Sequence, residues 1–105
     1  MGMKKSYQRA LPADWRRVAG VYSALGDEHR QRILLMFEPG EALNVGQIVA
    51  ASTLSRTAVS HHLRVLREAG VLVAEKRGKE VYYRIDKPFL IEAMERVVEY
   101  IRSSV

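Results

Sequence analysis

The sequence predicts a mainly α-helical fold with a β-hairpin, in the order α-α-α-α-β-β-α, and a dimeric state. Apolar residues recur at spacings of three and four within residues 15–66 and again near the C-terminus. Between these regions lie two β-rich runs, joined by the basic segment 76–79 with its turn-forming glycine. Two helices joined by a short turn and followed by such a hairpin indicate a winged helix-turn-helix.

The first two helices are predicted from apolar stripes and from their boundary residues. The first begins between Pro12 and Asp14 and ends at Gly26. The second has Asp27 as its N-cap and is predicted to end at Pro39-Gly40. The stripe of the first helix consists of Trp15, Val18, Val21, Tyr22 and Leu25, and that of the second of Ile33, Leu34, Met36 and Phe37.

The third and fourth helices are predicted to form the helix-turn-helix. Asn44 caps the third helix, and Ser52-Thr53 forms the turn, with Leu54 as a core anchor. Ser55 caps the fourth helix, which ends at Gly70. The inward positions are Val45, Ile48 and Val49 in the third helix and Val59, Leu63 and Leu66 in the fourth.

A hairpin and a last helix complete the prediction. Residues 71–73 are β-formers, and residues 80–85 alternate apolar and polar side chains, as a half-buried strand does. The last helix opens between Asp86 and Pro88. Its apolar residues are spaced four, three and four apart, which forms a seam suited to another helix; they are Leu90, Met94, Val97 and Ile101.

The domain organisation is predicted to be a basic N-terminal arm, residues 1–13, and one winged helix-turn-helix domain, residues 14–105. The core of such a small domain cannot bury every apolar residue of the last helix, so we expect a two-fold partner to cover the surplus. The first and last helices are therefore predicted to form a homodimer interface. Its predicted residues are Trp15, Val18, Tyr22, Leu90, Met94, Val97 and Ile101.

Charge favours a polyanionic partner. The net charge is +5, and residues 55–79 carry six basic residues against two acidic ones. Such a field attracts phosphate.

The chain has no cysteine, which excludes disulfides and thiolate metal sites, and we expect no cofactor. No apolar run is long enough to cross a bilayer and no signal segment is evident, so a cytoplasmic protein without a membrane partner is expected.

The predicted contacts with double-stranded DNA lie on the free face of the fourth helix and at the hairpin tip. Hydroxyl, imidazole and guanidinium groups can hydrogen-bond to phosphates and base edges alike, and an arginine can bind guanine through two bonds. Arg56 is the candidate for that bidentate contact. The full set is Ser55, Arg56, Thr57, Ser60, His61 and Arg64 in the helix, and Lys76, Arg77 and Lys79 in the hairpin.

An enzymatic role is not expected. The sequence contains no Gly-rich phosphate loop, no G-x-S-x-G motif and no H-E-x-x-H motif. Ser60 and His61 are neighbours on a helix, so their side chains diverge and cannot act as a nucleophile and base.

Three segments together resemble the ArsR/SmtB family of bacterial winged-helix repressors: residues 24–34, 54–70 and 77–84. The similarity spans residues 15–86. Its motif in residues 55–70 is specific in combination with G-x-x-V-Y-Y in residues 78–83, and it is carried by Ser55, Val59, Ser60, His62, Leu63, Leu66, Ala69 and Gly70. The resemblance implies a homodimer joined through its first and last helices. It also implies binding to an inverted repeat in a promoter, repression of transcription, and release on an inducer.

The sequence departs from the metal sites of that family. Where the family carries two cysteines on the third helix, this chain has Asn44 and Gly46. The family has a second metal site on the last helix, whose positions are occupied here by Asp86, Pro88, Glu99 and Arg102. Because most of these residues are not the family's ligands, both metal sites are expected to be absent.

The histidines are not expected to form a new metal site. His61 and His62 lie about 100° apart on a helix and cannot easily hold one ion, and His29 has no partner one turn away. We expect His62 to pack against the body of the domain, and His61 to face DNA or solvent. Two alternatives stay open: a metal- or ligand-responsive sensor with an unrecognised site, and a winged-helix module for protein–protein interaction.

Overall fold

The computed structural model describes residues 6–7 and 9–105, and within them the chain forms five α-helices and three β-strands. The elements are α1 (Ala13–Leu25), α2 (Glu28–Leu34), β1 (Leu43–Asn44), α3 (Val45–Ala51), α4 (Arg56–Glu68), β2 (Leu72–Arg77), β3 (Glu80–Ile85) and α5 (Lys87–Ser104). The predicted order of helices and hairpin is confirmed, with one strand more than predicted. Lys4 and Lys5, which belong to the predicted basic arm, lie outside the described residues.

Side-chain caps determine where four helices begin, and three of these caps, all but Asp86, were predicted. Asp27, Asn44, Ser55 and Asp86 each accept a hydrogen bond from a backbone N–H in the first turn of α2, α3, α4 and α5. The Gln47 side chain also accepts a bond from the Asn44 N–H, which completes a capping box. These bonds satisfy backbone donors that have no partner within the helix.

The second helix is shorter than predicted. α2 ends at Leu34, so the predicted end at Pro39-Gly40 is wrong. The Met36 N–H donates to the Ile33 carbonyl (3.1 Å) and the Phe37 N–H to the Leu34 carbonyl (3.2 Å), which forms a tight turn. Met36 and Phe37 still pack against the core from this turn. Their apolar character therefore indicated burial and not helix.

A short strand next to the hairpin was not predicted. β1 pairs with β3 in an antiparallel arrangement, with Leu43 opposite Tyr83, and the sheet has the order β1-β3-β2. The hairpin register runs from Leu72 opposite Ile85 to Arg77 opposite Glu80. Because β1 contains only two residues, the tip of the hairpin extends past it.

The core lies where the helices meet the base of this sheet. Its fully buried residues include Val21, Ile33 and Ile48 from the first three helices and Leu72 from β2. α4 contributes its predicted inward positions to it, namely Val59, Leu63 and Leu66. Burial of this apolar face fixes which side of α4 faces outward.

The end of α4 depends on Gly70, as predicted. Its φ of +84° lies in the left-handed region that favours glycine. A Cβ at this position would lie 2.6 Å from Cε2 of Phe89 on α5. Gly70 therefore allows both the reversal of the chain and the close approach of α5.

Among the described residues, no helix is both long and apolar enough to span a membrane.

Candidate nucleic-acid interface

The N-terminal half of α4 presents an exposed polar and basic surface. Ser55 is exposed at the start of the helix. An open depression follows it, lined by Arg56, Thr57, Ser60, His61 and Arg64. The structure thus brings together all the residues of this helix that were predicted to contact DNA, on the face opposite Val59 and Leu63. Their contact with DNA stays a prediction.

The electrostatics of this surface suit an anion. The first turn of α4 contains no acidic residue, and the unpaired N–H groups of a helix N-terminus carry partial positive charge. The Ser55 hydroxyl accepts a bond from the Ala58 N–H (3.1 Å), which leaves its own proton free to donate. The Ser55 hydroxyl can therefore cap the helix and donate a hydrogen bond to a phosphate at the same time.

The two adjacent histidines of α4 have different surroundings, as predicted. His61 is exposed, and its Nδ1 lies 3.3 Å from Arg64 Nη2. Because a guanidinium can only donate, this Nδ1 accepts, and Nε2 is left as the donor. His62 is half-buried, with its Nδ1 3.3 Å from Arg30 Nη1 of α2. Burial lowers the pKa of the His62 imidazole below its ordinary value of 6.5.

The three predicted cations of the hairpin tip have different surroundings. Arg77 Nη2 donates to Glu75 Oε2 at 3.1 Å, and the guanidinium lies 4.7 Å from the centre of the Tyr82 ring. Alternation along β2 places Lys76 on the opposite face of the hairpin from Arg77. Lys79 lies in the turn beside Gly78, whose φ is +62°. The three cations are all exposed, but one of them is already paired.

Sequence reasoning did not find the roles of Glu75 and Tyr82. Their signal was the strand period, because Glu75 and Arg77 lie two residues apart and Tyr82 is the cross-strand partner of Glu75. Those positions place all three on one face of the hairpin.

The residues predicted for a dimer interface differ in how exposed they are. Val18 is only 6% exposed, and Leu90 and Met94 pack partly buried against the core of their own protomer. Tyr22 (45% exposed) and Ile101 (56% exposed) remain accessible. Trp15 packs edge-to-face on Tyr100, and Val97 is half-buried. The role of this set in dimerisation stays a prediction.

Sequence reasoning passed over a second apolar seam on α5. Its exposed residues follow at spacings of seven, three and four and are Ile91, Val98, Ile101 and Val105. Of these, Ile101 also belongs to the predicted seam, and Val105 follows the last residue of the helix. This spacing is the signal that could have found it, because it places the residues along one side of a helix. Tyr22 of α1 is exposed as well, and these exposed apolar residues of the two helices are here called the α1/α5 face.

The metal positions inferred from the family resemblance do not fit a metal ion. The Asn44 side chain caps α3, and Gly46 offers no side-chain ligand. On α5, Asp86 caps the helix, Pro88 supplies no donor atom and Arg102 is a cation. Across residues 6–7 and 9–105, no group of three or more His, Cys, Asp or Glu residues could hold a metal ion.

Comparison with known proteins places the chain in a family. Residues 27–73 match the family described as "Bacterial regulatory protein, arsR family". The cadmium resistance transcriptional regulatory protein CadC homolog of Staphylococcus aureus is 34% identical over 96 residues, which cover 89% of this chain and 74% of that protein. The chain belongs to the arsR family. This assignment confirms the resemblance in residues 24–84, and the chain is a transcriptional regulator.

A further relative and a solved structure are also similar to this chain. The arsenic resistance transcriptional regulator ArsR1 of Pseudomonas putida is 37% identical over 76 residues, but the match spans only 59% of its length and 70% of this chain. A solution structure from Mycobacterium bovis is described as the homodimeric winged helix-turn-helix DNA-binding domain of a possible ArsR-family regulator. It has a TM-score of 0.69 and 26% identity, over 98% of this chain and 94% of that one. The predicted winged helix-turn-helix fold is confirmed.

Proposed function

We propose that this arsR-family regulator binds an inverted-repeat operator as a homodimer and represses transcription. In this proposal α4 of each protomer enters a major groove, and the hairpin tip contacts the phosphate backbone beside it. On this proposal the protein acts on DNA in the cytoplasm and catalyses no reaction.

The observation that carries the proposal is the exposed face of α4. Its N-terminal half combines hydroxyl, imidazole and guanidinium groups, and the first turn carries no carboxylate. Such groups supply both phosphate contacts and hydrogen bonds to base edges. A protein–protein module would instead present apolar side chains on this face, so the composition of α4 favours DNA.

The α1/α5 face supports the dimeric part of the proposal. Large apolar residues exposed along one side of a helix on a small protein are typical of an interaction surface. The similar domain from Mycobacterium bovis is described as homodimeric. A two-fold axis through the α1/α5 face would present two α4 helices to successive major grooves, about 34 Å apart.

Selection of DNA from a random pool, followed by sequencing, tests the proposal directly. We expect enrichment of an imperfect inverted repeat whose half-sites lie about one helical turn apart. A pool without enrichment, or with single half-sites only, would contradict the proposed binding mode.

Arg56→Ala is the informative variant for base recognition, and Arg67→Ala is its matched control. Arg67 is exposed on the same side of α4, about three turns further along. Both variants lose one positive charge, so both should weaken binding to any DNA. Only Arg56→Ala should also relax the preference for one base in each half-site, by about 1–3 kcal/mol if Arg56 binds guanine. Equal behaviour of the two variants would remove Arg56 from base recognition.

A further inference from the structure

Arg30 is a largely covered cation at the junction of three helices. Its side chain is only 14% exposed, although it lies on the short helix α2. Nε donates to the Ala24 carbonyl at 2.7 Å, and Nη2 donates to the Ser23 carbonyl at 3.4 Å. These carbonyls belong to the last turn of α1, where helix carbonyls have no partner within the helix. The Ser23 carbonyl also accepts from the N–H of the cap residue Gly26 at 3.3 Å. Arg30 therefore joins α2 to the end of α1.

The same guanidinium also reaches the DNA-facing helix. Arg30 Nη1 lies 3.3 Å from Nδ1 of His62 on α4. Because arginine can only donate, His62 Nδ1 must accept, which makes Nε2 the protonated nitrogen of the neutral ring. Asp27 Oδ2, at the N-cap of α2, lies 3.9 Å from the same Nη1 and compensates its charge. One side chain thus connects the end of α1, the start of α2 and the middle of α4.

We infer that Arg30 is a positioning residue for DNA binding: through His62 it fixes the orientation of α4 relative to α1. This inference rests on the proposed function, in which α1 contributes to the dimer face and α4 enters the major groove. Two recognition helices must keep a fixed spacing to occupy successive grooves. The Arg30 side chain of α2, which bonds to carbonyls of the dimer-forming helix α1 and to His62 of the DNA-binding helix α4, contributes to that spacing.

Protonation of His62 would break this connection. A protonated imidazole has two N–H groups and no acceptor, so it would present a donor and a positive charge to the Arg30 guanidinium. The charged and titratable groups near His62 are Asp27, Arg30 and His29 on the α2 side and His61 on α4 itself. α1 contributes backbone carbonyls through Arg30. DNA affinity should therefore contain an acid-sensitive component that depends on His62.

The test compares four variants on a duplex that the wild-type protein has selected from a random pool. Arg30→Met and His62→Leu remove one partner each. His62→Asn keeps an acceptor near the position of Nδ1 but cannot be protonated at neutral or mildly acidic pH. Arg32→Met is the matched control, because Arg32 is exposed on the same helix and, among the described residues, its polar partners are Glu28 and His29 of α2.

We expect Arg30→Met and His62→Leu to bind the selected duplex about tenfold more weakly, with Arg32→Met and His62→Asn within about threefold of the wild-type protein. Because burial lowers the pKa of His62, the wild-type affinity should fall relative to that of His62→Asn only as the pH falls below the ordinary histidine value of 6.5. His29 and His61 are present in both proteins, so the comparison isolates the change at position 62. A merely structural role of Arg30 would weaken binding without changing this pH profile.

Long-range ¹H–¹⁵N spectra of the free wild-type protein test the geometry without a variant or DNA. The expected result is a neutral His62 with its proton on Nε2; a proton on Nδ1 would overturn the inference, whether or not Arg30→Met folds. Normal affinity of Arg30→Met for the selected duplex would also overturn it while the proposed function stands. Failure of the wild-type protein to bind any DNA would overturn the proposed function, and this inference with it.

Discussion

Arg96 Nε donates a 2.7 Å hydrogen bond to Asp14 Oδ2 and so joins α5 to the first turn of α1. The Arg96 guanidinium also lies 4.8 Å from the centre of the Trp15 ring. The hydrogen bond from Arg96 holds the pKa of the Asp14 carboxyl below its ordinary value of 3.8. The pair therefore stabilises the packing of the first helix on the last, which together form the α1/α5 face.

This pair predicts an acid-sensitive contribution to stability. Because the pKa of Asp14 is lower in the folded protein than in the unfolded chain, the contribution is present above pH 3.8 and is lost as the pH falls through the folded-state pKa. Asp14→Asn should unfold at lower urea concentration than the wild-type protein near neutral pH. The two urea midpoints, measured by circular dichroism at one protein concentration, should converge in acid.

Glu92→Gln is the control for that titration. Glu92 lies 3.7 Å from Arg17 across the same two helices, but its side chain is 75% exposed. Exposed pairs contribute little to stability, so Glu92→Gln should follow the wild-type curve at every pH. A constant gap between the wild-type protein and Asp14→Asn, maintained into acid, would show that the carboxylate charge is not what stabilises the junction.

Gly70→Ala should be strongly destabilising. The methyl group would meet Phe89 at 2.6 Å, and the φ of +84° is strained for any residue with a Cβ. The expected loss is about 2 kcal/mol or more in the free energy of unfolding. Combining Gly70→Ala with Phe89→Leu separates the two causes. The double variant should recover the part due to the clash and keep the part due to backbone strain.

The sequence was most informative where the relevant interactions are local. Asp27, Asn44 and Ser55 were all predicted as N-caps, because a cap bonds to N–H groups two or three residues away. The inward positions of α4 followed from helical spacing for the same reason. The exposed side of α4, on which the DNA contacts are predicted, is the complement of these inward positions.

Interactions between distant residues could not be predicted in this way. β1 contains two residues, too few for a periodic pattern, and it is a strand only because β3 pairs with it. Arg30 and His62 are 32 positions apart in the sequence, and their contact depends on the packing of α2 against α4. The end of α2 was misplaced because Met36 and Phe37 are buried from a turn, and apolar character does not distinguish a turn from a helix.

The pairing of Arg77 predicts unequal roles for the cations of the hairpin tip. Each Lys or Arg that neutralises one phosphate changes the slope of log affinity against log salt by about one unit. Lys79→Ala should therefore reduce the slope by about one unit. Arg77→Ala should reduce it by less, because Glu75 already compensates the charge at 3.1 Å. Fluorescence anisotropy over a series of salt concentrations measures both slopes.

Glu75→Gln tests the same ion pair by removing its carboxylate instead of the Arg77 guanidinium. Removing the carboxylate releases Arg77 to bind phosphate, so affinity should rise and the salt dependence should become steeper. The Tyr82 ring still supports the guanidinium in this variant. Identical slopes for Glu75→Gln and the wild-type protein would mean that the hairpin tip does not contact the backbone.

Ile101→Glu should weaken the dimer. Ile101 is 56% exposed on the α1/α5 face, so the isolated protomer should tolerate a carboxylate there. In a dimer the same carboxylate would be desolvated among apolar residues, which is costly. The dimer dissociation constant, measured by sedimentation, should rise at least about tenfold. Affinity for an inverted repeat should fall with it, because each half-site alone binds weakly.

Leu35→Glu distinguishes this effect from a general response to a new surface charge. Leu35 is 84% exposed but follows α2, outside the α1/α5 face. The variant should sediment as the wild-type protein does and should bind a selected inverted repeat with nearly unchanged affinity. If Leu35→Glu dissociated the dimer and Ile101→Glu did not, the protomers would associate through the α2 side, and the spacing of the two α4 helices would have to be derived from that interface instead.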